Sequence, residues 1–278
     1  IFCGELGRSW ETARVDDCTE IVGETMLLPC DRLTPLDIAT WEQRTRADAV
    51  YSTLKSFQRK QDTALEVARA YATASQCYAS ISWGKDSMVI AHLAIRLRDE
   101  FGIVVPLAWV CVEPIKNPHC TLVRDAFFQK YDHPYYESEV WCRRDDDGWH
   151  ARGTLERGFV ELESRIGTKR SLRGIRGAES GIRKSLIDMH GLTSKNSCRP
   201  IGRWSGQDVF AYLYQYNLPI HPAYAMSMGG ILDRDRIRVS SIGGKRGTGM
   251  GRDAWEAKYY GDELANVFDG YELVDQLT

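Results

Sequence analysis

Long apolar stretches are absent from this chain of 278 residues, and no run approaches the roughly 20 residues of a membrane-spanning helix. The eight cysteines include no Cys-x-x-Cys pair, so the usual spacing of zinc and iron–sulfur ligands is missing. Scattered thiols favour a reducing cytoplasm over a disulfide framework. The net charge of −2 excludes a protein that is basic over its whole surface. We therefore expect a cytoplasmic protein with no membrane partner.

The charge is nevertheless uneven along the chain. Residues 165–203 contain ten lysines and arginines against two acidic residues, and residues 234–252 contain six against one. Such stretches can form a basic face for a nucleotide or a nucleic acid, or a solvated surface without a partner. The sequence alone leaves both interpretations open.

The most informative segment is the 82–87 loop, which reads Ser-Trp-Gly-Lys-Asp-Ser between a β-prone run and an amphipathic helix pattern. A strand, a short loop and a helix N-terminus together favour an anion, because free backbone N–H groups and the helix dipole face it. Lys85 adds a point charge for phosphate. Asp86 would repel phosphate unless a metal lay between them, which predicts Mg²⁺ with Asp86 as a ligand.

Alternating strand and helix patterns indicate the fold class. Near-continuous apolar runs such as residues 104–112 are typical of buried parallel strands. We predict an α/β fold with a doubly wound, mostly parallel sheet and helices on both faces, with ligands at the carboxyl ends of the strands. The predicted divisions are an N-terminal extension (1–33), the main α/β domain with an N-terminal helix (34–230), and a basic, glycine-rich segment with a last helix (231–278). An edge strand is expected at 236–242.

A second candidate segment follows a predicted short strand at residues 171–175. Gly174 lets backbone approach a ligand closely, and Arg176 offers a bidentate fork for phosphate. Glu179 can hold that fork or a metal. A glycine-punctuated strand end with a surface arginine is the alternative interpretation.

A third segment carries two further arginines, Arg199 and Arg203, as candidate phosphate contacts. A capped helix pattern follows them and leads to the sequence Leu-Pro-Ile-His-Pro-Ala-Tyr at residues 218–224. His221 within that sequence is expected to stabilise a turn rather than to transfer protons.

In this order, the three segments resemble the PP-loop ATP pyrophosphatases, a family that includes the phosphoadenosine phosphosulfate (PAPS) reductases. The usual loop of that family reads Ser-Gly-Gly-Lys-Asp-Ser, and Gly-x-Arg-x-x-Glu-Ser and Leu-Pro-x-His-Pro-x-Tyr complete the match at residues 174–180 and 218–224. Trp83 departs from the usual glycine, and an aromatic there resembles the DNA-phosphorothioation ATP pyrophosphatases. The resemblance implies an adenine nucleotide alpha hydrolase-like fold that binds ATP and Mg²⁺.

The residue chemistry and the resemblance together assign a candidate site. Catalysis is expected from Lys85, Asp86 and Arg176, with Asp86 as the metal ligand. The predicted nucleotide-binding residues are Ser82, Trp83, Gly84, Lys85, Asp86, Ser87, Gly174, Arg176, Glu179, Arg199 and Arg203.

The reaction is inferred from a missing residue. PAPS reductases resembling this chain use a cysteine in a C-terminal Glu-Cys-Gly-[Leu/Ile]-His segment, and this sequence has no cysteine after Cys198. Adenylation therefore fits better: a substrate oxygen attacks the α-phosphorus of ATP, pyrophosphate leaves, and sulfur displaces the adenylated oxygen. The leading hypothesis is DNA backbone phosphorothioation.

The partners implied by that hypothesis are ATP, DNA, a cysteine desulfurase as sulfur donor and other modification-system proteins. Cys142 and Cys198 are candidates to carry a persulfide, although a thiol without a chemical role is the simpler interpretation of both. A PAPS reductase and a non-catalytic nucleotide-binding scaffold stay open as alternatives, as does a homo-oligomer.

Overall fold

Eight α-helices and seven strands form the part of the chain that the structure, a computed structural model, describes: residues 27–142, 144–145, 148–149, 151–243 and 252–267. The strands are β1 (Tyr78–Ile81), β2 (Leu107–Glu113), β3 (Tyr135–Trp141), β4 (Arg144–Asp145), β5 (Gly148–Trp149), β6 (Ser171–Arg173) and β7 (Ser197–Cys198). The helices are α1 (Pro35–Ser52), α2 (Lys55–Ala74), α3 (Lys85–Phe101), α4 (His119–Lys130), α5 (Ala151–Ile166), α6 (Gly181–His190), α7 (Gly206–Gln215) and α8 (Arg252–Val267). None of these described helices combines the length and apolarity needed to cross a membrane.

Parts of two predicted divisions lie outside the described residues. These are residues 1–26 of the predicted N-terminal extension, and residues 244–251 and 268–278 of the predicted C-terminal segment. The division of the chain at residues 33 and 230 stays a prediction.

The main sheet is parallel throughout, with the strand order β3-β2-β1-β6-β7. From β1 in the centre, the chain winds outward through β2 and β3 on one side and through β6 and β7 on the other. This reversal opens a crevice at the carboxyl ends of β1 and β6, which is where open α/β sheets bind their ligands. Strands β4 and β5 form a separate antiparallel ribbon.

Helices cover both faces of the sheet, as the alternation along β2 shows. Leu107, Trp109 and Cys111 belong to the main core, which includes buried side chains of α2, α3 and α7. Ala108 and Val110 point to the opposite face and join a second apolar cluster with α5. Because side chains alternate along a strand, a strand buried on both faces reads as a continuous apolar run. The predicted doubly wound parallel α/β fold is confirmed.

Helix α1 begins with a capping box, as its sequence predicts. The Thr34 hydroxyl accepts the backbone N–H of Asp37, Pro35 occupies the first turn, and the Asp37 carboxylate returns to Thr34. Asp37 also accepts from Gly229 N–H (3.1 Å) and the Tyr259 hydroxyl (2.8 Å). Burial alone raises the pKa of Asp37, but these hydrogen bonds outweigh it and lower that pKa below its usual value. The start of α1 thus holds α8 and the 227–230 turn.

The predicted edge strand at residues 236–242 is wrong. Its apolar residues, Ile237, Val239 and Ile242, are indeed buried. However, the segment packs over the 82–87 loop, where the Val239 side chain lies 3.2 Å from the position of a Cβ on Gly84. Its pairing is limited to an isolated bridge between Ser241 and Lys116. The apolar residues of this segment are therefore explained by burial of one side of an extended chain, and they do not indicate a strand of the sheet.

Candidate functional site

The 82–87 loop connects the end of β1 to the start of α3 and is closed by its own side chains. The Ser82 N–H donates to the Ser87 hydroxyl (3.1 Å), which donates in turn to the carbonyl of Gly84 (3.0 Å). Gly84 is the N-cap of α3 and has an extended backbone. These bonds fix the loop tightly against the first turn of the helix.

Free backbone donors line this loop. Among the described residues, no hydrogen-bond partner is present for the N–H groups of Trp83, Gly84, Asp86 and Ser87. They lie at the positive end of the α3 dipole and at the crevice between β1 and β6. The loop therefore has the donors and the location that an anion such as phosphate requires.

The 218–224 segment packs against the 82–87 loop and supports it. The Tyr224 hydroxyl accepts the N–H of Lys85 (3.0 Å) and leaves no room for a side chain at Gly84, whose Cβ would lie 3.0 Å away. His221 is buried, and its ring bridges the Asn117 side chain (3.2 Å) and a backbone N–H two residues ahead (3.1 Å). Burial lowers the pKa of His221 well below its usual value, so the ring is neutral and holds a turn.

Trp83 turns away from the loop surface into the protein. Its backbone is left-handed (φ 56°), and its indole is 1% exposed. Its ring centroid lies 5.7–6.3 Å from the aromatic rings of four core residues, Trp109, Phe127, Phe128 and Tyr135. If Trp83 contacts a nucleotide as predicted, its backbone makes the contact, because its indole is buried in the protein.

Replacing Trp83 with glycine, the usual residue in the resembling family, is expected to destabilise the protein. Removing a buried tryptophan costs about 3–5 kcal/mol, and relief of the left-handed backbone returns about 1–2 kcal/mol. We expect the free energy of unfolding, measured by urea denaturation, to fall by about 2–3 kcal/mol. Trp83→Phe keeps an aromatic ring, so its free energy of unfolding should fall by less. Equal stability of Trp83→Gly and wild type would contradict a supporting role for the indole.

Four charged side chains meet beside the loop: Lys85, Asp86, Arg176 and Asp235. The Lys85 ammonium lies 2.9 Å from Asp86 Oδ2 and 3.4 Å from Asp235 Oδ1. Arg176 Nε donates to Asp86 Oδ1 and its Nη2 donates to Asp235 Oδ1, both at 2.5 Å. Each of the two cations thus contacts both carboxylates, and we call these four residues the charge cluster.

Arg176 faces the carboxylates rather than the crevice. Its side chain is fully buried, and its Nη1 also lies 3.4 Å from the carbonyl of Trp204. Burial alone lowers the pKa of Arg176, but Asp86 and Asp235 outweigh burial and raise that pKa, so the guanidinium is charged. Direct contact between Arg176 and phosphate, as predicted from the sequence, would require it to leave both carboxylates.

Gly174 and Glu179 lie on either side of Arg176, in roles that differ from those predicted. A Cβ on Gly174 would lie 2.7 Å from the backbone of Asp86, so this glycine allows the end of β6 to touch the 82–87 loop. Glu179 accepts the backbone N–H of Arg176 (3.0 Å) and pairs with Arg183. Asp86 and Asp235, not Glu179, hold the Arg176 fork in this structure, and a role of Glu179 at a metal or nucleotide stays a prediction.

Arg199 and Arg203 do not join the charge cluster. Arg199 is partly exposed and follows β7, whereas Arg203 is exposed and directly precedes Trp204. Within the described ranges, neither side chain makes a hydrogen bond or an ion pair. The predicted phosphate contacts of both arginines stay predictions, and Arg203 is one residue from a carbonyl that contacts Arg176.

Some basic residues of the two basic stretches pair with acidic side chains of the protein. Arg234 pairs with buried Asp48 (2.6 Å), and Arg252 pairs with Glu256 (2.8 Å). The remaining exposed arginines of the second basic stretch include Arg236. The basic stretches therefore do not translate directly into one cationic surface.

Asp235 is the functional candidate that sequence analysis missed. It lies in a 3-10 turn, Arg234–Arg236, and its carboxyl carbon would be 2.3 Å from a Cβ on Gly206. No motif covers it. Its one signal in the sequence is that it is the single acidic residue of the basic stretch 234–252.

The donor set suits a metal that arrives with a nucleotide. Among the described residues, no group of three or more His, Cys, Asp or Glu side chains could hold a metal by itself. Asp86 and Asp235 offer two carboxylates around the position of the Lys85 ammonium. Mg²⁺ in nucleotide sites is commonly held by one or two carboxylates together with substrate phosphates and water. The residues present therefore fit Mg²⁺ bound as a complex with phosphate.

The buried cysteines of the described part of the chain are poor nucleophiles. Burial raises the pKa of Cys77 to about 11, and that of Cys111 and Cys198 to about 12. Burial also raises the pKa of Cys120, which lies beneath the 82–87 loop, and of Cys142. A reactive thiol needs a lowered pKa and access. These thiols therefore have the properties of structural cysteines.

Similarity to known proteins is partial. No protein-family model matches the chain. A PAPS reductase from Shewanella oneidensis is 32% identical over 91 residues, which make up 32% of this chain and 35% of the reductase. FMN adenylyltransferase from Candida glabrata is 17% identical, with a TM-score of 0.45 and 69% of each chain covered. Its complex with FMN and the ATP analogue AMPCPP is 18% identical, with a TM-score of 0.45 and coverage of 68% of this chain and 70% of that one. The chain thus spans about a third of the length of the reductase that it matches.

Proposed function

We propose that this protein is a PP-loop ATP pyrophosphatase that adenylates an oxygen substrate and releases pyrophosphate. The observation that carries the proposal is the loop at the strand-order reversal, where free N–H groups at the start of α3 lie beside the Lys85 ammonium. The ordered resemblance of three segments to that family and the partial match to a PAPS reductase add support.

In the proposed reaction, the phosphates of ATP bind the free N–H groups of the 82–87 loop, and Lys85 donates to their oxygens. The substrate oxygen forms a bond to the α-phosphorus while the bond to the β-phosphate oxygen breaks, and pyrophosphate leaves with the electron pair. Asp86 would hold Mg²⁺, which when bound would neutralise charge on the phosphates. Arg176 fixes the Asp86 carboxylate, so that its contribution is positioning.

We further propose that the acceptor is the DNA backbone and that adenylation prepares it for sulfur from a cysteine desulfurase. The exposed Arg203 is next to Trp204, and the exposed Arg236 is next to Asp235, so both arginines flank residues of the charge cluster or its contacts. Arginines at such positions suit backbone phosphates of a nucleic acid. The resemblance to the phosphorothioation subgroup rests on Trp83, whose indole is buried.

Pyrophosphate release tests the enzyme proposal. Purified protein with Mg²⁺ and radiolabelled ATP is expected to form AMP and pyrophosphate when DNA and a persulfide-loaded cysteine desulfurase are added. Mass spectrometry of nucleotides from the treated DNA is expected to show phosphorothioate linkages. AMP formation without phosphorothioate would refute DNA as the acceptor and retain the pyrophosphatase. ATP binding without AMP under every condition would favour a nucleotide-binding scaffold.

A PAPS reductase is the second candidate, and the match to the Shewanella enzyme favours it. The buried thiols with raised pKa values oppose it within the described residues, because reduction of a sulfonate by a cysteine needs a thiolate. Formation of sulfite from PAPS with thioredoxin would establish this alternative and overturn the proposed adenylation.

A further inference from the structure

The carboxylate of Asp235 lies in the charge cluster although it comes from a different part of the chain than the three motif segments. It contacts Arg176 Nη2 (2.5 Å) and lies 3.4 Å from the Lys85 ammonium. At Gly206, a side chain would overlap this carboxylate, so α7 begins with a residue that leaves space for it. The position of Asp235 therefore depends both on its ion pairs in the charge cluster and on the space that Gly206 leaves at the start of α7.

The turn that carries Asp235 is anchored on both sides. Arg234 pairs with buried Asp48 (2.6 Å), and its guanidinium lies 3.9 Å from the centre of the Phe210 ring. Asp233 accepts the backbone N–H of Asp235 (2.9 Å). Because Asp48 and Asp233 already have these roles, Asp235 is the acidic residue of this region whose carboxylate enters the cluster.

The Lys85 ammonium marks a cation position between two carboxylates. It lies 2.9 Å from Asp86 Oδ2 and 3.4 Å from Asp235 Oδ1, on a flexible stem. Arg176 is fully buried and contacts Asp86 through Oδ1, the oxygen that Lys85 leaves free, and Asp235 through Oδ1, the oxygen that Lys85 also faces, so it cannot turn to a ligand without leaving both carboxylates. When Lys85 turns to phosphate, the two carboxylates lose the charge between them. A divalent cation that arrived with the nucleotide would replace that charge.

We propose that Asp235 and Asp86 together hold the divalent cation that accompanies ATP, and that Lys85 occupies this cation's place before the nucleotide binds. The inference rests on the proposed ATP site and adds a ligand residue to it. It gives Asp235 effects of opposite sign. Without a metal, its negative charge repels the triphosphate; with Mg²⁺, its oxygen attracts the complex.

Calorimetry of Asp235→Asn tests these opposite signs without measuring turnover. ATP is titrated into the full-length protein, once with EDTA and once with MgCl₂. The variant is expected to bind metal-free ATP several-fold more tightly than wild type. The gain in ATP affinity caused by Mg²⁺ should fall by about tenfold or more, as expected when a metal contact is removed.

Asp233→Asn is the matched control, since it makes the same charge change two residues away and asparagine can still cap the turn. Its gain from Mg²⁺ should equal that of wild type. Asp86→Asn should repeat the signature of Asp235→Asn, and the double variant should lose less than the two single losses combined, because both residues would serve one cation.

An unchanged Mg²⁺ gain in Asp235→Asn would overturn the inference and leave the proposed function intact. Weaker binding by the same factor with EDTA and with MgCl₂ would also overturn it, because that outcome indicates a structural role alone. Wild-type protein that binds no ATP in either buffer would refute the proposed function itself, together with this inference.

Discussion

Replacing Lys85 with alanine is expected to weaken ATP binding by about 100-fold or more. Two effects act in the same direction. The variant loses charge-assisted hydrogen bonds to phosphate, each of which contributes about 1.5–3 kcal/mol. It also leaves Asp86 and Asp235 with Arg176 as their remaining partner in the charge cluster, which adds net negative charge where the triphosphate has to bind.

The measurement is calorimetric titration of ATP with Mg²⁺ present, accompanied by a thermal unfolding curve to confirm the fold. Lys184→Ala removes the same charge from an exposed position on α6 and should bind ATP like wild type. Lys85→Arg keeps the charge and should recover part of the affinity. Affinity unchanged in Lys85→Ala would show that the 82–87 loop does not bind phosphate, whatever its resemblance.

The sequence was sufficient for the strands of the sheet that are strongly patterned. The apolar run at residues 104–112 overlaps β2, and the predicted short strand at residues 171–175 overlaps β6. A two-residue strand such as β7 gives no periodic signal and was not expected. At residues 236–242 the error is the opposite one, because a strand was predicted where none forms. The buried apolar residues of this segment pack on the 82–87 loop and not beside a neighbouring strand.

The candidate site was predictable at the level of motifs but not of partners. Lys85, Asp86 and Arg176 do meet, as their placement after two neighbouring parallel strands requires. The sequence could not show that the Arg176 fork is filled by carboxylates 90 and 59 residues away in the chain. It also could not show which way Trp83 points, because its aromatic partners come from β2, α4 and β3. Contacts of this kind depend on tertiary packing that local patterns do not encode.

Replacing Arg176 with methionine is expected to lower the free energy of unfolding by about 3 kcal/mol or more, because it leaves two mostly buried carboxylates with Lys85 as their one remaining partner in the charge cluster. The hydrogen bond from its Nη1 to the Trp204 carbonyl is lost as well. This stability loss follows from the structure, whereas the sequence interpretation of Arg176 as a phosphate contact predicts a loss of ATP affinity in a protein of normal stability. Urea denaturation without nucleotide separates the two.

Two further variants decide what the Arg176 side chain contributes. Arg203→Met removes an exposed arginine that has no ion pair within the described residues, and should change stability by less than about 0.5 kcal/mol. Arg176→Lys keeps the charge, but a single ammonium cannot reproduce the fork that reaches Asp86, Asp235 and Trp204, so an intermediate stability is expected. If Arg176→Met unfolds at the same urea concentration as wild type but no longer binds ATP, the guanidinium serves the nucleotide and the positioning role assigned to it is wrong.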